Sequence, residues 1–197
     1  VDVADDESLA LLDSARSRVF VYSKNNDLIA VFGSYGEQKG NFLQPAAVET
    51  VGENIYVIDA LANTLQIFRP NDYVRAIKKA DLQMENGDYS AAIDTWERVV
   101  AYNTNSTQAY VGIGNCYDYL GEYELAMEAY KKGYANQEYS VSFSEYRKEY
   151  LKDNFVLILF IALAALATLI VLAVKVSKML RPVEGSAFCQ LETKKYL

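Results

Sequence analysis

Histidine is absent from the 197 residues, and cysteine occurs only twice. The lack of histidine excludes His-dependent catalytic triads, histidine proton shuttles and most zinc sites. Cys116 and Cys189 lie on opposite sides of a long apolar run, so we expect no disulfide between them within one chain. Cys116 is expected to be a small buried residue, and Cys189 a free or lipidated thiol of the tail. The composition therefore favours a protein that binds over one that catalyses, and we expect no cofactor and no metal.

Charge is missing from Phe155 to Val174, a run of twenty residues in which the only hydroxyl is Thr168. At about 1.5 Å per residue, a helix of this length spans roughly 30 Å, the thickness of the hydrocarbon core of a bilayer. A buried core helix is the alternative, but core helices rarely stay apolar on every face for so long. The sequence predicts a transmembrane helix over residues 154–176.

Basic residues follow this run closely, at Lys175, Lys178 and Arg181, whereas residues 1–140 carry more acidic than basic side chains. Because basic residues favour the cytoplasmic side, we expect a single-pass protein of the cell membrane with a cytoplasmic tail over residues 177–197. The large N-terminal region would then be extracytoplasmic. The net charge of −7 argues against nucleic acid as a partner, since phosphate binding requires a cationic face.

A pattern of short apolar runs repeats at an interval of 46 residues within residues 9–72. Asp13 aligns with Asp59, and Val19 aligns with Leu65. Runs rich in β-branched and aromatic residues, bounded by Asn, Asp and Gly, are typical of antiparallel strands. A period of this length with several strands per unit indicates the blades of a β-propeller.

Three segments resemble NHL-repeat β-propellers: Asp13–Tyr22, Phe32–Phe42 with Pro45, and Ile55–Phe68. The second copy departs from the usual motif, because Thr64 stands where the family has arginine. The resemblance implies that residues 1–72 are the last blades of a propeller whose N-terminal part is missing from this sequence. Asp13 and Asp59 would then bind turn amides, which is a far more common role than a catalytic pair.

A second repeat, with an offset of 34 residues, begins at Tyr73. It pairs Gly87 with Gly121, Tyr89 with Tyr123, Ala92 with Ala126, and Trp96 with Tyr130. The spacing and the residue types resemble the tetratricopeptide repeat (TPR), which is a pair of antiparallel helices. The resemblance implies two TPR units over residues 73–140, with Trp96 as a core wedge.

The first helix of these units departs from the family pattern, because Lys79 and Gln83 stand where apolar residues are usual. Its apolar stripe consists instead of Tyr73, Ile77, Ala80 and Met84. We expect Ile77 and Met84 on this stripe to face the last propeller blade and not the interior of the repeat.

Two TPR units need a cap, and residues 141–153 are predicted to form it as a helix. Ser142 and Glu145 have the spacing of a capping box, which predicts that this helix begins near Ser142. No helix breaker precedes the apolar run, so one continuous helix is expected from about Ser142 to about Met179.

The TPR resemblance implies a concave surface on the second unit that binds peptides or partner proteins. The residues at the matching positions are Gln108, Val111, Asn115, Asp118 and Tyr119. A solvated helix face with no particular role is the alternative.

The predicted fold is therefore multidomain α and β: a partial β-propeller of NHL-like blades, α-helical TPR hairpins and a single transmembrane helix. The leading hypothesis is a membrane-anchored extracytoplasmic scaffold, on a bacterial surface, that binds proteins through its TPR and propeller surfaces and assists a transporter or another membrane complex. One alternative is a propeller enzyme, a lyase or a carbohydrate-active hydrolase, with its active site in the missing blades. Another is a ligand sensor that signals through a membrane partner.

Overall fold

The computed structural model describes residues 1–180, so most of the predicted tail, including Cys189, lies outside the described residues. The chain divides into two compact units, one over Val1–Tyr146 and one that begins at Arg147. The strands are β1 (Asp2–Val3), β2 (Leu9–Asp13), β3 (Arg18–Tyr22), β4 (Leu28–Phe32), β5 (Pro45–Val51), β6 (Asn54–Asp59) and β7 (Thr64–Phe68). The helices are α1 (Asp72–Glu85), α2 (Tyr89–Tyr102), α3 (Thr107–Leu120), α4 (Tyr123–Lys132), α5 (Asn136–Asp153) and α6 (Phe155–Leu180).

The strands form two antiparallel sheets, one in the order β1-β2-β3-β4 and the other in the order β5-β6-β7. Their registers repeat with the predicted offset: Asp13 pairs with Arg18 in the first sheet, and Asp59 pairs with Thr64 in the second. The predicted meander strands are therefore confirmed. Within the described residues the two sheets do not close into a ring or barrel.

The equivalent aspartates of the two sheets both bind turn amides. Asp59 is buried and accepts hydrogen bonds from the backbone N–H groups of Leu43, Gln44, Leu61 and Ala62, at 2.6 to 3.1 Å. Burial alone would raise the pKa of Asp59, but these four donors hold it below its usual value. Asp13 accepts the backbone N–H of Arg16 at 3.0 Å. The predicted turn role is confirmed for both residues.

The two sheets pack face to face through phenylalanine rings. The ring centroids of Phe32 and Phe68 are 4.2 Å apart, and Phe42, on the connecting loop, lies 5.7 Å from Phe68. The Gln66 side chain fastens this loop to β7, since it donates to the Asn41 carbonyl at 2.8 Å and accepts from the Gly40 N–H at 3.0 Å. Aromatic contacts and hydrogen bonds together fix the second sheet against the first.

Helices α1 to α4 form the two predicted hairpins. Trp96 and Tyr130 are 1% and 2% exposed, and each fits against a glycine of α3. A Cβ atom at Gly112 would lie 2.4 Å from the Trp96 ring, and one at Gly114 would lie 2.5 Å from the Tyr130 ring. The wedge role of Trp96 is therefore confirmed, and the two glycines are required by close approach.

Helix α1 does not present Met84, at the end of the predicted stripe, to the sheets. Met84 was expected to face the last blade, but its sulfur accepts a hydrogen bond from the Trp96 indole N–H at 3.3 Å. That expectation is wrong, because Met84 contacts the interior of the repeat. Gln83 has a partner on α2 as well, since it accepts from the Thr95 hydroxyl at 2.7 Å.

A different and mostly charged stripe of α1 meets the sheets. Val74 lines a cavity together with Phe68, and the Lys78 ammonium lies 2.6 Å from the Asp6 carboxylate. About two turns further on, Glu85 forms an ion pair with Lys24. The sheets and the helices share one hydrophobic core cluster.

Helix α5 begins at Asn136 and not near Ser142, so the predicted capping box does not exist. Ser142 lies inside the helix, is 1% exposed, and donates its hydroxyl to the Asp118 carboxylate at 2.6 Å. The expected continuous helix is also interrupted, because Asn154 separates α5 from α6. Backbone hydrogen bonds still link Asn154 to Tyr150 and Ile158 to Asn154.

In the second unit, α6 contains 25 residues, Phe155–Met179, that are long and apolar enough to cross a membrane. None of the most apolar window of this stretch is buried within the described chain. Its one hydroxyl, Thr168, donates to the Ala165 carbonyl at 2.7 Å, so it needs no partner from outside the helix. By length and composition, α6 could therefore span a bilayer.

We expect Trp96→Ala to lower the free energy of unfolding of the first unit by about 3–5 kcal/mol, because it leaves a cavity against Gly112. The measurement is a urea titration of the full chain in detergent micelles, followed by circular dichroism. Glu97→Ala, at the exposed neighbouring position, is the control and should change little. Equal stability of the two variants would contradict the assignment of Trp96 to the core.

Candidate functional site

A groove of about 550 Å³ lies along the helices of the two predicted TPR hairpins. This TPR groove lies within the first unit and has walls from α1, α2, α3, the α4–α5 turn, α5 and the loop between β3 and β4. Its lining residues are Lys24, Asn25, Asp27, Asp81, Met84, Glu85, Tyr89, Trp96, Thr107, Gln108, Val111, Gly112, Asn115, Tyr119, Gly133, Ala135 and Glu138. A volume of this size is typical of a binding pocket.

Four of the five predicted binding residues line this groove: Gln108, Val111, Asn115 and Tyr119. They lie together because steps of three or four residues along α3 return to the same side of a helix. The side-chain amide of Gln108 can bind a peptide backbone through both its donor and its acceptor, whereas the amide oxygen of Asn115 already accepts the Tyr130 hydroxyl at 2.9 Å and leaves its NH₂ group as the donor. Their binding role stays a prediction.

Asp118, the fifth predicted residue, points away from the groove lining into a network between helices. Its carboxylate accepts the Tyr130 hydroxyl of α4 at 2.7 Å and the Ser142 hydroxyl of α5 at 2.6 Å. Burial and this carboxylate together raise the pKa of Tyr130, so the phenol stays protonated as a donor. Asp118 therefore joins α3 to the two helices that follow it.

Two tyrosines from consecutive helical hairpins stack at the groove. The rings of Tyr89 on α2 and Tyr119 on α3 are 4.7 Å apart and nearly parallel, with an interplanar angle of 6°. Tyr119 is 68% exposed, so this pair offers an aromatic surface to solvent. Aromatic side chains of this kind are frequent at protein interfaces, because they combine apolar area with a polar end.

The groove is acidic at the side where the sheet meets α1. Burial is the main reason that the pKa of Asp81 rises to about 6, and the nearby Asp27 carboxylate raises it further, while Lys24 opposes the shift. Burial also raises the pKa of Asp27. Glu85 is paired with Lys24, and Glu138 adds a carboxylate from α5. A cation in the groove would therefore reduce the repulsion between these carboxylates.

Sequence reasoning missed this acidic wall. The TPR pattern locates residues of α3, but the 46-residue repeat gives no reason to place the β3–β4 loop beside α1. The signal available was the spacing of Lys78, Asp81 and Glu85, which places three charged residues on one side of a helix. That spacing is also typical of an exposed face, so it could not identify a neighbour.

The groove offers groups that can bind a ligand through hydrogen bonds, charge and aromatic contact. Residues 1–180 contain no cluster of three or more His, Cys, Asp or Glu residues that could hold a metal ion. Burial raises the pKa of Cys116 to about 11, so its thiol is protonated at neutral pH and is a poor nucleophile.

A second cavity, of about 230 Å³, lies between the two sheets and α1. The Thr50 hydroxyl oxygen is buried and has no hydrogen-bond partner among the described residues. This volume is below the usual range of about 300–1,000 Å³ for ligand pockets, so the TPR groove is the stronger candidate.

Asp81→Asn should stabilise the first unit above pH 6 but not below pH 4. The folded pKa of about 6 exceeds the ordinary value of 3.8, so the native state binds more protons than the unfolded state and loses stability as pH rises between these values. Asparagine avoids this loss, and we expect a gain of about 1 kcal/mol at pH 7 after allowance for solvent screening. The measurement is urea unfolding of both chains at pH 4 and pH 7. A gain of equal size at both pH values would contradict the burial of an ionised Asp81.

Comparison with protein families matches residues 107–137 to the tetratricopeptide repeat. The matched segment covers α3, α4 and the start of α5, and within it α3 and the α4–α5 turn contribute residues to the lining of the groove. A comparison with curated proteins gives no match. The second helical hairpin of this chain is therefore similar to a tetratricopeptide repeat, a unit associated with protein–protein interaction.

Proposed function

We propose that this protein is a membrane-anchored scaffold whose TPR groove binds a segment of a partner protein, and that its role is binding and not catalysis. The observation that carries the proposal is the groove itself, an open concavity built on a tetratricopeptide-like hairpin. Amide side chains and a stacked tyrosine pair line it, and both suit an exposed polypeptide segment.

The β-repeats support a further part of the proposal, an NHL-like propeller. In the first sheet, Val19 and Val21 are buried on the face that carries Phe32, which the second sheet covers. The repeat-equivalent residues of the second sheet are Leu65 and Ile67, which are 57% and 53% exposed. Since the same positions are covered in one sheet and open in the other, we propose that a further sheet of the same kind packs on this open face.

The anchor in this proposal is α6, with the first unit outside the cytoplasm. The two lysines that follow the apolar run, Lys175 and Lys178, favour a cytoplasmic location for its C-terminal end. A scaffold held in this way would present the groove to other proteins of the same membrane, such as a transporter or another membrane complex.

Photo-crosslinking in the native membrane tests the groove. A photoreactive amino acid at Gln108, inside the groove, should give a discrete crosslinked partner. The same group at the exposed Asp94 of α2, which does not line the groove, should give none. The Gln108 product should disappear when Tyr119→Ala removes one ring of the stacked pair. Crosslinks that are equal at both positions, or absent at Gln108, would refute the binding role of the groove.

Thiol labelling of intact cells tests the orientation. Cys116 is fully buried, so a membrane-impermeant maleimide can report on Cys189 in the folded protein. We expect no labelling until the cells are permeabilised, whereas added protease should cleave the first unit without permeabilisation. A Cys189→Ser chain is the control for background labelling. Labelling of Cys189 in intact cells would place the tail outside and reverse the proposed orientation.

A further inference from the structure

We infer that the TPR groove takes a positively charged segment, in which lysine or arginine side chains of the partner protein enter between the β3–β4 loop and α1. This inference rests on the proposed function, because it names the chemistry of the segment that the groove binds. The observations that carry it are the charges that face the groove, the burial of one of them, and the exposed tyrosine stack.

The charges in the groove are predominantly negative. The β3–β4 loop contributes Lys24 and Asp27, α1 contributes Asp81 and Glu85, and α5 contributes Glu138. Lys24 is the single basic residue of the lining, and its ion pair with Glu85 neutralises both groups. Asp27, Asp81 and Glu138 remain, and the structure gives none of the three an ion-pair partner among residues 1–180.

The location of Asp81 in the groove matters more for binding a cation than the number of acidic residues there. Asp81 lies where the sheet and α1 meet, and it is partly removed from water beside the like charge of Asp27. A cation beside Asp81 is attracted more strongly than a cation beside an exposed carboxylate, because solvent screens the attraction less at a partly buried site. It would also reduce the repulsion between the two aspartates. An anionic segment would meet that repulsion with no basic residue free to offset it.

The stacked tyrosines provide a second contact for the same ligand. Each ring of the Tyr89–Tyr119 pair has one face that is not covered by the other, and Tyr119 is 68% exposed. Lysine ammonium and arginine guanidinium groups bind the faces of such rings. The amide of Gln108 and the NH₂ group of Asn115, which also line the groove, can bind the backbone of the segment. A lysine- or arginine-containing segment therefore complements the carboxylates, the tyrosine faces and the Gln108 amide of the groove.

The experiment measures binding of three fluorescein-labelled peptides of about twelve residues to the full chain in phosphatidylcholine nanodiscs. The peptides alternate alanine with lysine, with glutamine or with glutamate, and the readout is fluorescence anisotropy. Empty nanodiscs correct for binding to lipid. We expect the lysine peptide to bind most tightly and the glutamate peptide least, with an affinity for lysine that falls as salt increases.

Two matched variants separate the groove from the net charge of the protein. Asp27→Asn with Asp81→Asn removes two negative charges from the groove, and Asp94→Asn with Glu97→Gln removes two from the exposed face of α2. The groove variant should weaken binding of the lysine peptide about tenfold, equivalent to 1.4 kcal/mol, and the α2 variant less than about twofold. Urea unfolding of the groove variant at the pH of the assay is the control for folding. If this variant is as stable as the unchanged chain, unfolding does not explain the weaker binding.

The outcomes distinguish this inference from the proposed function. Equal weakening by both variants, equal binding of the three peptides, or no binding of the lysine peptide at about 1 mM would overturn the cationic segment. If crosslinking from Gln108 persists in any of these cases, the groove still binds a protein segment, but one of different charge. If that crosslinking is also absent, the proposed function fails together with the inference.

Discussion

Helix α1 packs against other elements on two sides. This constraint determines how the sheets and the helical hairpins of the first unit contact each other. On one side, Ile77 and Ala80 are fully buried and Met84 contacts Trp96, so the helix completes the core of its own repeat. On the other side, Lys78 and Glu85 form ion pairs with the first sheet. A helix with one apolar stripe can satisfy only one hydrophobic neighbour, and α1 meets the second neighbour mainly through charged groups. The partly buried Asp81 and the acidic wall of the groove follow from that division.

The sequence predicted those parts of the fold that depend on local repetition. The 46-residue offset correctly paired Asp13 with Asp59, because equivalent strands place equivalent residues at their turns. The 34-residue offset correctly assigned Trp96 to the core. The same offset could not predict which side of α1 faces the sheets. The periodicity of apolar residues identifies a buried stripe, but it does not identify the element that packs on that stripe. Ser142 shows the same limit: its spacing to Glu145 fits the start of a helix, but α5 begins six residues earlier.

Only those residues of the candidate site that lie at regular positions of the 34-residue repeat could be predicted from the sequence. Gln108, Val111, Asn115 and Tyr119 lie in the groove because α3 is a regular helix with a family-like register. Asp118 is adjacent in sequence but binds Tyr130 and Ser142, and its partner on α5 comes from a helix whose start was wrongly placed. Lys24 and Asp27 come from the β-region and reach the groove only through the packing of sheet against helix. No pattern along the chain encodes that contact.

The stacking of Tyr89 on Tyr119 has a mechanical consequence. The two rings belong to consecutive hairpins, so their contact links the two hairpins at the groove. Any widening of the groove would have to separate them, at a cost of roughly 0.5–1.5 kcal/mol beyond the lost buried area. The stack therefore favours the observed width of the groove over a wider one, by a factor of roughly two to ten.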